Sequence, residues 1–199
     1  MKIIGLTGNI ASGKSAIAYI LKTLGAEVVD MDKIGKQIQE TDYKNVIEKI
    51  KNKFGKEIID NEKINRKKLG AIVFSDKQSL TNLNSIMIPL MTEKLQKVIV
   101  ENKRKRTKVL VIDAAILFEA GWDKFADYIW VVFVPKEVQI NRLVKREKIS
   151  KKEAEMRVDS QENIYEKMEK ADVVIDNTKD LEAVRLKIIE LWNTIITSI

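Results

Sequence analysis

"GLTGNIASGKSA", residues 5–16, carries Gly8 and Gly13 five positions apart, followed at once by Lys14 and Ser15. That is the spacing of a phosphate-binding loop. Glycines let the backbone close around phosphate oxygens, and successive amides with the start of the next helix make a positive cradle. Gly8, Asn9, Ile10, Ala11, Ser12, Gly13, Lys14, Ser15 and Ala16 are therefore the expected nucleotide-holding segment. Lys14 is expected to reach the terminal phosphates of a nucleotide, and the Ser15 hydroxyl to serve as a ligand for Mg2+. The flanks agree: "KIIGLT" (2–7) reads as a buried strand, and from Lys14 to Leu24 the residues Ile17, Ile20, Leu21 and Leu24 recur on one helical face. Strand, glycine loop and helix in this order predict an α/β fold with a parallel sheet.

The totals narrow what such a loop can serve. The chain of 199 residues allows one substantial core with an elaboration. Its 45% hydrophobic and 33% charged residues are those of a globular protein, and no apolar run approaches the roughly 20 residues that span a bilayer. The opening "MKIIGLTG" lacks the pattern of a secretory signal, so a cytoplasmic location without membrane contact is expected. There is no cysteine, hence no disulfide or thiolate metal site, and no histidine, so any general base is a carboxylate or a lysine. The net charge of +7 suits a phosphorylated partner, yet the lysines are interleaved with acids as on solvated helix faces. "NKRKRTK" (102–108) is the one dense basic cluster and reads as a surface loop before an apolar strand.

Beyond the first helix, "AEVVDMD" (26–32) reads as a second strand ending in two acids. From 33 to 103 the periodicity is helical, too long for a simple crossover and placed to bind an acceptor. "KVLVIDA" (108–114), "YIWVVFV" (128–134) and "DVVID" (172–176) complete five strands, the continuous apolar runs being those of strands covered on both faces. "AILFEAGWDKF" (115–125) is expected to be a loop or short helix near the site, 136–170 a charged helical stretch, and the end of the chain an amphipathic helix.

Asp30 and Asp32, two apart, would share a face if the strand ran through both. Two uses stand open for them: a carboxylate that orients a hydroxyl and accepts its proton, or a cap on the following helix. Asp113 ends an apolar strand where an acid supports the metal or its waters, or simply makes a local loop contact. Arg142 and Arg146 are four apart on one helical face, with Gln139 beside Arg142; they are either a lid neutralising charge on a transferring phosphoryl group or a solvated basic face.

Taken together, "GLTGNIASGKS", "GAEVVDMDKIGKQI", "NRKKLGAIVF", "IMIPLM", "DAAILFEAG", "VQINRLVKR" and "ADVVIDNTKDLEAV" resemble the dephospho-CoA kinase family over almost the whole chain. The resemblance implies a three-layer P-loop kinase fold with a five-stranded parallel sheet, a helical acceptor-binding insertion and a helical lid. Its implied divisions are a core of 1–32, 104–135 and 171–199, a CoA-binding region at 33–103, and a lid at 136–170. It implies transfer of the terminal phosphate of ATP to the 3'-hydroxyl of dephospho-CoA, the last step of CoA biosynthesis, with ATP and Mg2+ as cofactors. By resemblance Asp32 is the base, with Lys14 and Arg142 also catalytic, and Asp30 supports. Arg66, Leu117, Phe118 and Glu119 contribute to the acceptor pocket, Arg146 and Asn177 to the nucleotide site, and Ser15 and Asp113 to the metal. A monomer or weak homo-oligomer without a nucleic-acid partner is expected; there is no guanine-specifying "NKxD" and no basic stripe. Two departures are Ile88-Pro89 where the family usually has His-Pro, and Ala115 where it has proline.

Overall fold

The computed structural model describes residues 1–161, 163–178 and 180–197. Along the chain run β1 (Lys2–Thr7), α1 (Lys14–Thr23), β2 (Glu27–Asp30), α2 (Met31–Glu40) and α3 (Val46–Phe54). The short β3 (Ile59–Asp60) and β4 (Lys63–Ile64) follow, then α4 (Arg66–Ser75) and the long α5 (Lys77–Arg104). The remainder is β5 (Val109–Asp113), β6 (Tyr128–Phe133), α6 (Lys136–Glu147), α7 (Lys151–Asp159), α8 (Ile164–Glu169), β7 (Val173–Asp176) and α9 (Leu181–Thr197).

The chain divides into two compact units, Met1–Asp30 with Val98–Ile199, and Met31–Lys97. In the first, five strands form a parallel sheet in the order β2-β5-β1-β6-β7. Ile4, Leu6, Val109, Val111, Trp130 and Val132 form one core with Ile17 and Leu21 of α1 and with Val184, Ile188 and Trp192 of α9. Ile3, Leu110, Ile112 and Val131, which alternate to the opposite face, are buried as well. Strands covered on both faces give the three-layer arrangement, and explain why their sequences run apolar instead of alternating. On the second face Leu117 lies over Gly5 so closely that a Cβ there would sit 2.8 Å from its Cδ2.

The second unit holds α2, α3, a two-stranded antiparallel hairpin of β3 and β4, α4 and most of α5. Ile34, Ile38, Val46, Ile50, Leu69, Val73, Met87 and Met91 are buried within it. Gly35 is in contact with Met91, whose Cε would lie 3.4 Å from a Cβ at that position. Asn65 starts α4 by accepting a hydrogen bond from the Lys68 N–H at 3.0 Å, the usual service of an N-cap amide.

Several boundaries differ from the sequence-based expectation. The second strand stops at Asp30 and the chain turns helical at Met31, so Asp30 and Asp32 do not share a strand face and Asp32 belongs to the helical unit, not to a core of 1–32. That unit ends at Lys97, within α5, and not at 103. Pro89 lies inside α5 without ending it. The β3–β4 hairpin falls at the break in helical periodicity around Asp60-Asn61, but two-residue strands leave no periodicity of their own to announce it. Among the described residues, 136–170 hold three helices, with Ser150 capping α7 through the Glu153 N–H at 3.1 Å.

Candidate active site

Helix α1 begins at Lys14 after Gly13, whose φ of 91° and ψ of 16° are left-handed. No side chain caps that end and its first turn holds no acid, so its N–H groups and positive pole are left for an anion. A Cβ on Gly8 would lie 2.6 Å from the Val132 carbonyl oxygen, and one on Gly13 would collide with the Asn177 amide. Ser12 is buried and its Oγ has no hydrogen-bond partner. The outside of the loop is held by distant residues. Asn177 Nδ2 donates to the Ser12 carbonyl at 2.7 Å, and the Ile10 N–H donates to Gln161 Oε1 at 2.6 Å.

The carboxylates come from strand register. Asp30 of β2 pairs opposite Asp113 of β5, and Asp113 lies level with Leu6 of β1, just before the loop. Lys14 Nζ makes an ion pair with the nearly buried Asp113. Ser15, one residue on in α1, is exposed. This set offers hard oxygen donors, yet among the described residues no group of three or more His, Cys, Asp or Glu could hold a metal alone. It fits Mg2+, which keeps water and phosphate ligands and takes only one or two protein oxygens.

Of the three residues placed at the acceptor pocket after β5, Leu117 is fully buried against Gly5, so its side chain supports the sheet instead of facing a ligand. Phe118 is half-buried with Lys170 Nζ 5.3 Å from its ring centre, and Glu119 is hydrogen-bonded by Lys167 at 2.7 Å.

The two arginines of α6 have different hydrogen-bond partners. Arg142 donates to the backbone carbonyls of Ala11, Ser12 and Asn177 at 3.4, 3.2 and 2.9 Å, clamping the loop from outside. Arg146 turns instead to Glu147 at 2.7 Å. Although burial opposes it, the Arg146 and Arg157 guanidiniums hold the Glu147 carboxyl below the usual carboxylate range. Both arginines line a cavity of 360 Å³ with Ala11, Gly13, Ala16, Asn177 and Leu181. Ile10 and Ala11 pack on a small apolar cluster of Ile140, Leu143, Ala154 and Val158, so α6 and α7 are docked on the loop. Gln139 is buried, its Nε2 donating to the Val134 carbonyl at 3.0 Å, and it does not join Arg142 in the site.

In the helical unit, Asp32 is exposed in the first turn of α2. Arg66 donates to Glu40 at 3.0 Å and to Gln39 at 3.3 Å, and these three with Lys63 and Ile64 line a second cavity of 330 Å³.

A family model described as "CoaE: Dephospho-CoA kinase" matches residues 2–183. The chain belongs to the dephospho-CoA kinase family. A dephospho-CoA kinase of Fusobacterium nucleatum is 46% identical over 195 residues, covering 97% of this chain and 98% of its own. One of Carboxydothermus hydrogenoformans is 40% identical, covering 96% and 95%. The structure of a dephospho-CoA kinase from Campylobacter jejuni superposes with a TM-score of 0.70 at 30% identity, covering 100% of this chain and 99% of that one. Membership in the dephospho-CoA kinase family makes the chain a kinase of the phosphotransferase class with a P-loop fold.

Gln161 and Lys167 were missed by sequence reasoning, although both touch this kinase's loops directly. Nothing local could have found them. Each sits in a run of charged helical residues where a solvated face is the default reading, and each partner lies far away in the chain. Among the described residues no helix is long and apolar enough to cross a membrane.

Proposed function

We propose that the protein transfers the terminal phosphate of ATP to the ribose 3'-hydroxyl of dephospho-CoA, giving CoA and ADP. The observation that supports it best is a family match from residue 2 to 183 laid on an uncapped, glycine-shaped start of α1 with Lys14 and Asp113 beside it.

The loop amides and Lys14 bind the phosphates, Lys14 exchanging Asp113 for phosphate oxygen as ATP arrives. The base and ribose of ATP occupy the cavity between Ala16, Asn177 and Leu181, and Arg142 fixes the loop against it. Ser15 and Asp113 hold Mg2+, which supplies charge neutralisation on the phosphate oxygens. The acceptor hydroxyl oxygen forms a bond to the γ-phosphorus as the bond to the β,γ-bridging oxygen breaks, and its proton passes to a carboxylate late in the transfer. Asp32 is that carboxylate. Support comes from its exposure, its place two residues after Asp30 at the end of β2, and the lack of any histidine in the chain. Asp30 orients, while Arg66, Phe118 and Glu119 contact the acceptor. Action in the cytoplasm, as a monomer or weak homo-oligomer, goes with this reading.

A coupled assay with ATP, Mg2+ and dephospho-CoA tests it directly. Formation of CoA and ADP in equal amounts is expected; phosphorylation of a nucleoside or nucleotide with dephospho-CoA left unchanged would overturn it.

A further inference from the structure

Lysine is rarely buried completely, because removing an ammonium from water is costly unless partners replace the solvent. Lys167, on α8, is only 1% exposed. Its Nζ donates to Glu119 Oε1 at 2.7 Å and to the Ala115 carbonyl at 3.0 Å. The same carbonyl accepts a bond from Thr7 Oγ1 at 3.3 Å. Thr7 immediately precedes Gly8 of the phosphate loop, and Ala115 lies two residues after Asp113. One carbonyl thus joins the end of β1, the exit of β5 and α8.

Lys167 adds a charged anchor to a segment otherwise held by burial of Leu117 against Gly5 and of Trp122. Residues 116–122 form a turn closed by its own bonds, from the Ala120, Gly121 and Trp122 N–H groups to the carbonyls of Ile116, Phe118 and Leu117, each 2.9 Å. It is no part of the sheet. Glu119 Oε2 is buried without a hydrogen-bond partner, and Lys167 is the cation paired with this carboxylate. Gln161, just before α8, takes the Ile10 N–H, so the start of the same region is tied to the phosphate loop.

We propose that Lys167 is a positioning residue for phosphoryl transfer, holding Glu119 and the Ala115 carbonyl so that Asp113 and the 116–122 turn keep their place beside the phosphate loop. This rests on the kinase reading above. Lys167 touches no reacting atom in it. Its contribution is orientation, which matters because displacement of supporting groups by about 1 Å can cost a hundredfold in rate.

The chain has no cysteine, so Lys167→Cys would carry the only thiol. Unfolding, alkylation with 2-bromoethylamine and refolding rebuild a lysine-like ammonium; alkylation with 1-bromopropane rebuilds the length without charge. For Lys167→Cys, kcat is expected to fall about tenfold or more with the KM for ATP within about threefold, as for lost orientation without lost binding. Aminoethylation is expected to recover most of kcat and propylation little. Native kcat in Lys167→Cys, or equal recovery with both groups, overturns the proposal, the second because packing alone would then suffice. Hydrogen exchange supplies a readout that needs no acceptor: the Ala120, Gly121 and Trp122 amides are expected to exchange faster in Lys167→Cys, or in Glu119→Gln if that variant alone folds, and unchanged exchange overturns the proposal. A wild-type protein inert toward dephospho-CoA would sink the kinase reading instead, and the exchange result would still decide Lys167.

Discussion

Gly13→Ala places one methyl group where two separate costs can be worked out. The backbone there has φ 91° and ψ 16°, a left-handed conformation that costs an L-residue about 1–2 kcal/mol more than glycine. The new Cβ also collides with the Asn177 side chain, which must leave its 2.7 Å bond to the Ser12 carbonyl, at about 1 kcal/mol. Reduced freedom of the unfolded chain returns about 0.5 kcal/mol. The net loss is about 2 kcal/mol, which for a chain of this size lowers Tm by about 4–8 °C. Thermal unfolding without nucleotide is the proper assay, because a ligand bound only to the folded state raises Tm by itself. Asn177→Ala provides the internal check: it removes the obstructing amide, so Gly13→Ala should then cost only the backbone part, about 1 kcal/mol. A Gly13→Ala protein melting within about 1 °C of wild type, or the same loss in both backgrounds, would refute the reasoning.

Two further outcomes are expected. Asp32→Asn should bind ATP as wild type does and lose most of its turnover, measured by calorimetry and by the coupled assay; near-native turnover would remove Asp32 as the base. In the helical unit, hydrogen bonds from Lys44, then Lys97 and Tyr43, hold the Glu93 carboxyl down from its ordinary 4.5 to about 2. A depressed carboxylate contributes stability above its unfolded pKa and loses it as pH falls through the folded value, so this contribution is complete above about 4.5 and fades toward 2. A carbon-detected NMR titration of Glu93 should therefore show a midpoint near 2, and one at 4.5 would contradict the cluster geometry.

Much of the fold was legible because its signals are local. The phosphate loop is a contiguous pattern of glycines, lysine and serine, the strands are apolar runs, and the helix periods are three and four residues. The acid pair shows where that legibility stops. Strand and helix both accommodate "DMD", and only the folded chain ends β2 at Asp30 and puts Asp32 in a helix. The spacing puts Arg142 and Arg146 on one helical face, yet their different partners, backbone carbonyls for Arg142 and Glu147 for Arg146, follow from how α6 is docked.

By itself the sequence determined a triphosphate-binding loop at the head of a parallel sheet, a carboxylate as the only available acid-type base besides lysine, and a family resemblance spanning nearly the whole chain. Only the tertiary structure decided which charged residues leave the solvent. Lys167 and its neighbours in "YEKMEK" look alike in sequence, because helical periodicity assigns a residue to a face but not what that face meets. It meets Glu119, 48 positions earlier, and Gln161 meets Ile10, 151 positions earlier. Such pairs exist only once the sheet brings the ends of β1 and β5 side by side, and no local pattern encodes that.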